Sequence, residues 1–470
     1  MPKLTINGQE FEVAAGQTVL QAALDNSIFI PHFCFHPHLP ISGCCRMCLV
    51  EIEGMPKQQI ACATTVTEGM KVQTDTPAVI QSRQTVMEFT LKNHPIDCPI
   101  CDKAGECILQ DFYMRFDGLP SRLSPEDGKV RKGKALILGP TLVLDQERCI
   151  LCDRCVRFMR EVAQDECITF AQRHDRAVIT TFPGQEINNP YSLCITDICP
   201  VGAWTSRDFR FKKRVWFLKR APSICPSCAR GCNITLDHAD GVVYRIMPRR
   251  NDAINLSWVC DPGRLAYHAL EDRRLTQPLI KKGGALVPAT WEEALVAAAK
   301  VLKPAGGKMR GILSASATCE EGEMFLRFCQ KALSAPAPAL LTGQPGSEDA
   351  ILIRADQNAN RKGLEDLGIR GNLEEAVAQA EGLLVQEAIP LHDADLKGKA
   401  AVVLSPAHSR AVDQALVALP CAAYSEISGT FVNFQGIKQN FQPALPPKGQ
   451  ARPASVILSQ LARQMGKKLD

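Results

Sequence analysis

Leu4–Val13 (LTINGQEFEV) alternates apolar and polar positions around Asn7-Gly8. The pattern predicts two short strands joined by a tight hairpin, because Asn and Gly accept the positive φ such a turn needs. Thr18 precedes a helically spaced run, Val19–Leu24, and predicts a short capped helix ending near Asn26. CLVEIEG, beginning at Cys48, reads as a strand. Within Arg83–Asn93, Val86, Phe89 and Thr90 recur at helical spacing and predict a short helix stopping before His94-Pro95. ITLDHADGVVYRIMPR, from Ile234, reads as strands. Trp291–Leu302 predicts an amphipathic helix with Thr290 as cap and an acidic first turn. Gly311–Ser314 and Lys399–Leu404 read as short buried strands of an α/β layer. Ala335–Pro338 and Pro443–Pro453 are proline-rich connectors or a tail.

Composition changes this picture mainly through cysteine. A length of 470 residues sets a soft prior of about three domains. The net charge of +4 argues against a nucleic-acid or acidic-membrane surface. The basic stretch Phe211–Arg214 with Lys219-Arg220 is better read as a solvated linker or subunit contact. No apolar run reaches the roughly 18 residues of a membrane helix, and the opening residues carry no basic-then-apolar leader. There are 21 cysteines in a chain too long for a secreted disulfide scaffold. A reducing compartment would keep them as thiols, so most should hold metal or be buried.

Eighteen of them fall between residues 34 and 260, and their spacing defines four sets. Cys34, Cys45, Cys48 and Cys62 form C-x10-C-x2-C-x13-C, with Cys44 contesting the second place. His94, Cys98, Cys101 and Cys107 form H-x3-C-x2-C-x5-C; a lone histidine is usually structural, but one standing before three spaced cysteines reads as a ligand. Cys149, Cys152 and Cys155 form C-x2-C-x2-C, closed by the distant Cys199-Pro200. Cys225, Cys228 and Cys232, with Cys260, form C-x2-C-x3-C-x27-C. Short spacing fixes several thiolates around one centre, and a distant ligand closes the site. Iron–sulfur and zinc sites share that logic, so structural zinc is the plain alternative. Cys44, Cys167, Cys194, Cys319, Cys329 and Cys421 remain as thiols without a metal role.

These motifs resemble known families. Gly43–Glu51 (GCCRMCLVE) and HPIDCPICDKAGECILQD resemble the large iron–sulfur subunit of bacterial NADH:quinone oxidoreductase, respiratory complex I. So do CILCDRCVRFMRE and DICPVGAWTS. Cys45 is taken over Cys44 by register with that family. Cys225–Cys260 looks like the first cluster of the molybdopterin oxidoreductases, while ADQNANRKGLEDLGI and EISGTFVNFQGIKQ resemble segments of their large domain. The resemblance implies an α+β multi-domain protein. Its parts are a β-grasp [2Fe–2S] ferredoxin (1–78), a one-His/three-Cys [4Fe–4S] domain (79–140) and a bacterial ferredoxin-like [4Fe–4S] domain (141–215). A molybdopterin-oxidoreductase-type [4Fe–4S] domain (216–272) and a shortened α/β scaffold (273–470) follow.

It further implies one [2Fe–2S] and three [4Fe–4S] clusters, no molybdopterin, and electron transfer without a substrate site. The implied partners are an NADH/FMN flavoprotein, a small [2Fe–2S] subunit, a two-[4Fe–4S] ferredoxin-like subunit and quinone-site subunits. The place implied is the cytoplasmic side of the inner membrane, as a peripheral subunit without a span. A molybdenum or tungsten formate dehydrogenase shares the four-cluster front. Against it, Pro262 stands where those enzymes often carry a lysine, and the back is short. An iron hydrogenase needs four later cysteines, whereas only Cys319, Cys329 and Cys421 follow Cys260. The diaphorase half of an NAD-reducing hydrogenase usually ends before residues 216–470.

Overall fold

A computed structural model describes residues 1–116, 122, 128–303, 308–388 and 395–469. The chain forms two compact units, Met1–Phe217 and Leu218–Asp470.

In the first unit, β1 (Lys3–Ile6) and β2 (Gln9–Glu12) pair antiparallel with Ile6 opposite Gln9. Asn7 and Gly8 lie at φ 50° and 85°, as a two-residue hairpin requires. Thr18 caps α1 (Val19–Asp25) in a reciprocal box with Gln21, and Asn26 closes it. β3 (Leu49–Ile52), β4 (Gln59–Ile60) and β5 (Met70–Gln73) complete a mixed sheet of order β2-β1-β5-β3-β4. Leu4, Ile6, Val50 and Val72 pack on Val19, Leu20 and Ala23 of α1. The cysteine loop between α1 and β3 is therefore mounted on a closed apolar core.

The helix leading to His94 starts earlier than its periodicity indicates. α2 runs Pro77–Asn93, because Thr76 accepts from the Val79 amide and Pro77 sits in the first turn, where its missing N–H costs nothing. α3 (Ile108–Phe116) packs against it. Phe112 of α3 meets Phe29 and Phe33 edge-on or tilted, tying α3 to the first segment. Next come β6 (Leu136–Ile137), β7 (Leu142–Leu144) and α4 (Arg154–Glu161). The hairpin β8 (Ile168–Ala171) and β9 (Val178–Thr181), α5 (Cys194–Ile198) and β10 (Trp204–Ser206) end the unit. β10, β7 and β6 form a three-stranded sheet.

The second unit opens with an antiparallel sheet of β11 (Lys219–Ile224), β12 (Asn233–Ala239) and β13 (Val242–Pro248), followed by α6 (Asp261–Leu265). β14 (Leu279–Lys282), β15 (Ala285–Pro288) and α7 (Trp291–Val301) follow, with Thr290 and Glu293 forming a capping box on α7. The α/β layer continues through β16 (Met309–Ser314), α8 (Cys319–Arg327), β17 (Ala339–Leu341), α9 (Arg361–Asp366) and α10 (Leu373–Gln379). β18 (Gly382–Gln386), β19 (Ala400–Ser405), α11 (Arg410–Gln414) and β20 (Val417–Pro420) close it. The sheet order is β15-β14-β20-β19-β18-β16-β17, with parallel pairing from β20 to β17 and the β14–β15 hairpin antiparallel at one edge. Leu383–Val385 and Ala401–Leu404 are buried throughout, as strands covered on both faces must be.

β21 (Gly429–Val432) and β22 (Lys438–Phe441) form a hairpin. Pro443–Pro453 is a connector, since α12 (Ala454–Gln464) follows and buries Ile457, Leu458 and Leu461. Glu426 is structural: it pairs with Arg274 at 2.8 Å, both nearly fully buried, and accepts from the Ala423 amide. Arg274→Met is expected to cost about 3–5 kcal/mol, because it strands a buried carboxylate. Chemical denaturation of the Arg274→Met chain measures this. Adding Glu426→Leu should recover much of the loss, because an apolar pair no longer leaves a charge unmatched.

Candidate metal centres

Cys34, Cys48 and Cys62 are buried, Cys45 is half-buried and Cys44 exposed. The Cys34 amide donates to Cys45 Sγ at 3.5 Å, and Ala61 N–H donates to the Cys48 carbonyl at 3.0 Å. Hydrogen bonds from Cys44, Cys45 and Cys62 hold Cys34 far below the ordinary thiol range. A bond to Cys62 likewise lowers Cys48. Cys34 thus lies beside Cys45 and Cys62, and Cys48 beside Cys62. Positive φ at Gly43 and Arg46 turns the chain on either side of the Cys44-Cys45 pair. Cys44 Sγ also faces the Leu151 carbonyl at 4.0 Å.

Cys149, Cys152, Cys155 and Cys199 line one pocket with Ile150, Ile179, Val201 and Trp204. Leu151 and Asp153 lie at φ 56° and 57°, which curls the chain so that the cysteines between and around them face inward. The Leu151 amide donates to Cys149 Sγ at 3.4 Å. Cys199 caps the end of α5. Burial pushes the Cys149 thiol up to about 12.

His94 terminates α2, where Lys129 binds its carbonyl at 2.6 Å. The ring contacts the Arg148 backbone, and burial lowers its pKa to about 4, so the imidazole is neutral at pH 7. Its Nδ1 is buried with no hydrogen-bond partner, the state of a nitrogen poised to ligate. Asp97 takes two hydrogen bonds from the buried Arg148, at 3.0 and 2.7 Å, fixing the turn between His94 and Cys98. Cys98 and Cys101 bracket a single 3-10 turn, with the Cys101 amide on the Cys98 carbonyl at 3.1 Å. Cys107 Sγ faces the Pro200 carbonyl at 3.7 Å. Its thiol is pushed up to about 11 by burial. His94→Cys should retain a cluster but lower its midpoint potential, since a thiolate adds negative charge where imidazole brings none. An EPR-monitored redox titration reads that shift.

In the second unit, Cys225 follows β11, Cys232 precedes β12 and Cys260 caps α6. The Cys225 amide bonds the Cys232 carbonyl at 2.9 Å, closing the loop that carries Cys228. Gly263 donates to Cys260 Sγ at 3.4 Å. A Cβ on Gly263 would lie 3.1 Å from Cys225 Sγ and 3.2 Å from Cys260 Sγ, so both sulfurs look onto the same spot. Burial pushes the Cys225 thiol up to about 11.

Among the described residues, no group of three or more His, Cys, Asp or Glu converges tightly enough to share one metal ion. A four-iron cube takes its ligands at separated corners, and the donor sets fit that chemistry.

The three sets of the first unit adjoin one another. Arg154 and Arg157 of α4 are buried. Arg154 donates to the Phe35 carbonyl at 2.6 Å and the Ile198 carbonyl at 3.0 Å. Arg157 donates to the Cys34 carbonyl at 2.5 Å and the Cys152 carbonyl at 3.5 Å. On the other side, Ile108 N–H bonds the Pro200 carbonyl at 3.0 Å, and Gly202 packs directly on Cys101 Sγ. The Cys149–Cys199 set thus shares contacts with each of the other two. Arg154, Arg157, Gly202 and Gly263 carry no ligand spacing, so the cysteine pattern does not single them out.

Comparison with known families finds five matches along the chain. A 2Fe-2S iron-sulfur cluster binding domain matches residues 2–77. The NADH-ubiquinone oxidoreductase-G iron-sulfur binding region matches 83–118. The ferredoxin-like domain of NADH-quinone oxidoreductase subunit 3 matches 139–205. The NDSU1/NuoG-like 4Fe-4S domain matches 218–268, and molybdopterin oxidoreductase matches 354–464. The chain is therefore an iron–sulfur protein in which ferredoxin-type domains precede a molybdopterin-oxidoreductase domain.

Curated relatives narrow the class. The G subunit of NADH-quinone oxidoreductase from Rickettsia bellii is 42% identical over 334 residues, 70% of this chain and 48% of that protein. The mitochondrial 78 kDa subunit of NADH-ubiquinone oxidoreductase from Neurospora crassa is 40% identical over 313 residues, 66% of this chain and 42% of that protein. The chain is a homologue of the NADH-quinone oxidoreductase G subunit, and spans about half the length of the curated relatives it matches. A solved NAD+-reducing [NiFe]-hydrogenase chain is 29% identical, with 46% of this chain and 91% of that chain covered and a TM-score of 0.41.

Proposed function

We propose that the chain is an electron-relay subunit of an NADH:quinone oxidoreductase. Cys34, Cys45, Cys48 and Cys62 hold one [2Fe–2S] cluster. His94, Cys98, Cys101 and Cys107, then Cys149, Cys152, Cys155 and Cys199, then Cys225, Cys228, Cys232 and Cys260 hold three [4Fe–4S] clusters. Such clusters take up and release single electrons. The observation that carries the reading is the group of adjoining sets in the first unit, with the Cys149–Cys199 set in contact with each of the other two. The chain's own work is to fix spacing, exclude water and tune each site by burial and N–H donors. Electrons enter from a flavoprotein that oxidises NADH, with a small [2Fe–2S] subunit beside it. They leave through a two-[4Fe–4S] ferredoxin-like subunit and the quinone-site subunits. The complex sits at the cytoplasmic face of the inner membrane. Among the described residues, no helix is long and apolar enough to cross a membrane.

The shortened α/β domain serves as scaffold, without molybdopterin. Pro262 lies in the first turn of α6 and has no ammonium to place between cluster and pterin. Metal analysis of the purified full chain tests the reading. About 14 iron atoms per chain, from one two-iron and three four-iron clusters, are expected. Stoichiometric molybdenum or tungsten would overturn it in favour of a formate-dehydrogenase-like enzyme, and zinc in place of iron would overturn it in favour of a structural role.

A further inference from the structure

We propose that Arg154 is the shared counter-ion of the first and third clusters, a buried positive charge that raises both midpoint potentials together. This role rests on the ligand sets proposed above. Arg154 stands between Cys152 and Cys155 at the start of α4 and is buried. One arm of its guanidinium reaches the carbonyl of Phe35, next to Cys34, at 2.6 Å. The other reaches the carbonyl of Ile198, next to Cys199, at 3.0 Å. Its Nε is buried without a hydrogen-bond partner. Among the described residues no carboxylate pairs with it. The sulfurs of Cys152, Cys199, Cys34 and Cys45, two from each set, are the groups whose negative charge, as thiolates, would act on it.

Arg157, one turn along the same helix, provides the contrast. It too bonds carbonyls of both sets, at Cys34 and Cys152, but Asp153 answers its charge at 2.7 Å. Arg157 is therefore a neutralised staple, whereas Arg154 is a cation still lacking an anion. A buried guanidinium without one is strongly unfavourable. A cluster held by four thiolates is an anion, and reduction adds another negative charge. Two such anions lie within reach of Arg154, and each reduced form is stabilised by it.

The test uses the full chain carrying its clusters, with EPR-monitored redox titration of Arg154→Gln and Arg154→Lys. The third cluster's signal is assigned by its loss in Cys149→Ser. In Arg154→Gln both midpoint potentials should fall, each one-electron equilibrium shifting roughly tenfold, which is about 59 mV. Arg154→Lys should stay near the unsubstituted values, and the Cys225–Cys260 cluster should not move in either variant. Loss of both signals in Arg154→Gln, with both kept in Arg154→Lys, supports the same role, because charge then decides assembly. A fall in only one potential, no fall in either, or equal loss of signal in both variants overturns it. Absence of both signals from the unsubstituted chain would overturn the ligand sets themselves.

Discussion

Cys45→Ser is expected to abolish the [2Fe–2S] EPR signal and remove about two iron atoms per chain, whereas Cys44→Ser should leave both unchanged. The two thiols are neighbours in sequence but not in environment. Cys45 is half-buried and takes the Cys34 amide on its sulfur. Cys44 is exposed and turned toward the Leu151 carbonyl. Both sulfurs come within hydrogen-bond range of Cys34, so proximity to that one ligand does not separate them. Burial does, because a cluster survives where water and oxidants are kept from its ligands. The reverse outcome, loss in the Cys44 variant, would assign the C-x9-C-x3-C register instead.

Gly202→Ala is expected to eliminate the signal of the proposed His94–Cys107 cluster while the [2Fe–2S] signal persists. The added methyl would overlap Cys101 Sγ and lie 3.2 Å from the Lys103 Cβ. A sulfur held at a cluster corner has no freedom to retreat from it. The backbone at Gly202 is not in a glycine-only conformation, so crowding alone drives the effect. Overpacking of this kind costs about 1–3 kcal/mol, and thermal unfolding should register it beside the spectroscopic loss. A signal of normal intensity in the Ala variant would show that Cys101 can move aside and is not fixed by metal.

What the chain announces in advance is local. Asn7-Gly8, Thr18 and Thr290 each specify a turn or cap through their own backbone chemistry, and each does so in the fold. The cysteine spacings nominate the ligand candidates because in three of the four sets three members stand close in sequence. The start of α2 escapes the periodicity because apolar recurrence is weak before Arg83, while Thr76-Pro77 supplies a cap and a proline first turn. Arg83 even lies on the buried side of that helix, its guanidinium on the Leu49 carbonyl at 3.1 Å. Arg154, Arg157, Gly202 and Gly263 are not legible, because each acts on residues far along the chain. An arginine reads as surface until the carbonyls it serves are known. A glycine reads as a turn until the sulfur above it is known.

The contacts of the Cys149–Cys199 set also bear on biogenesis. As the polypeptide leaves the ribosome, the ligands of the first two sets emerge early, yet both lean on loops that come later. Arg154 needs the Ile198 carbonyl, and the Cys101–Cys107 turn needs Pro200 and Gly202. The contacts that join the three cysteine sets of this unit are therefore complete only once the Cys199–Gly202 stretch has been made.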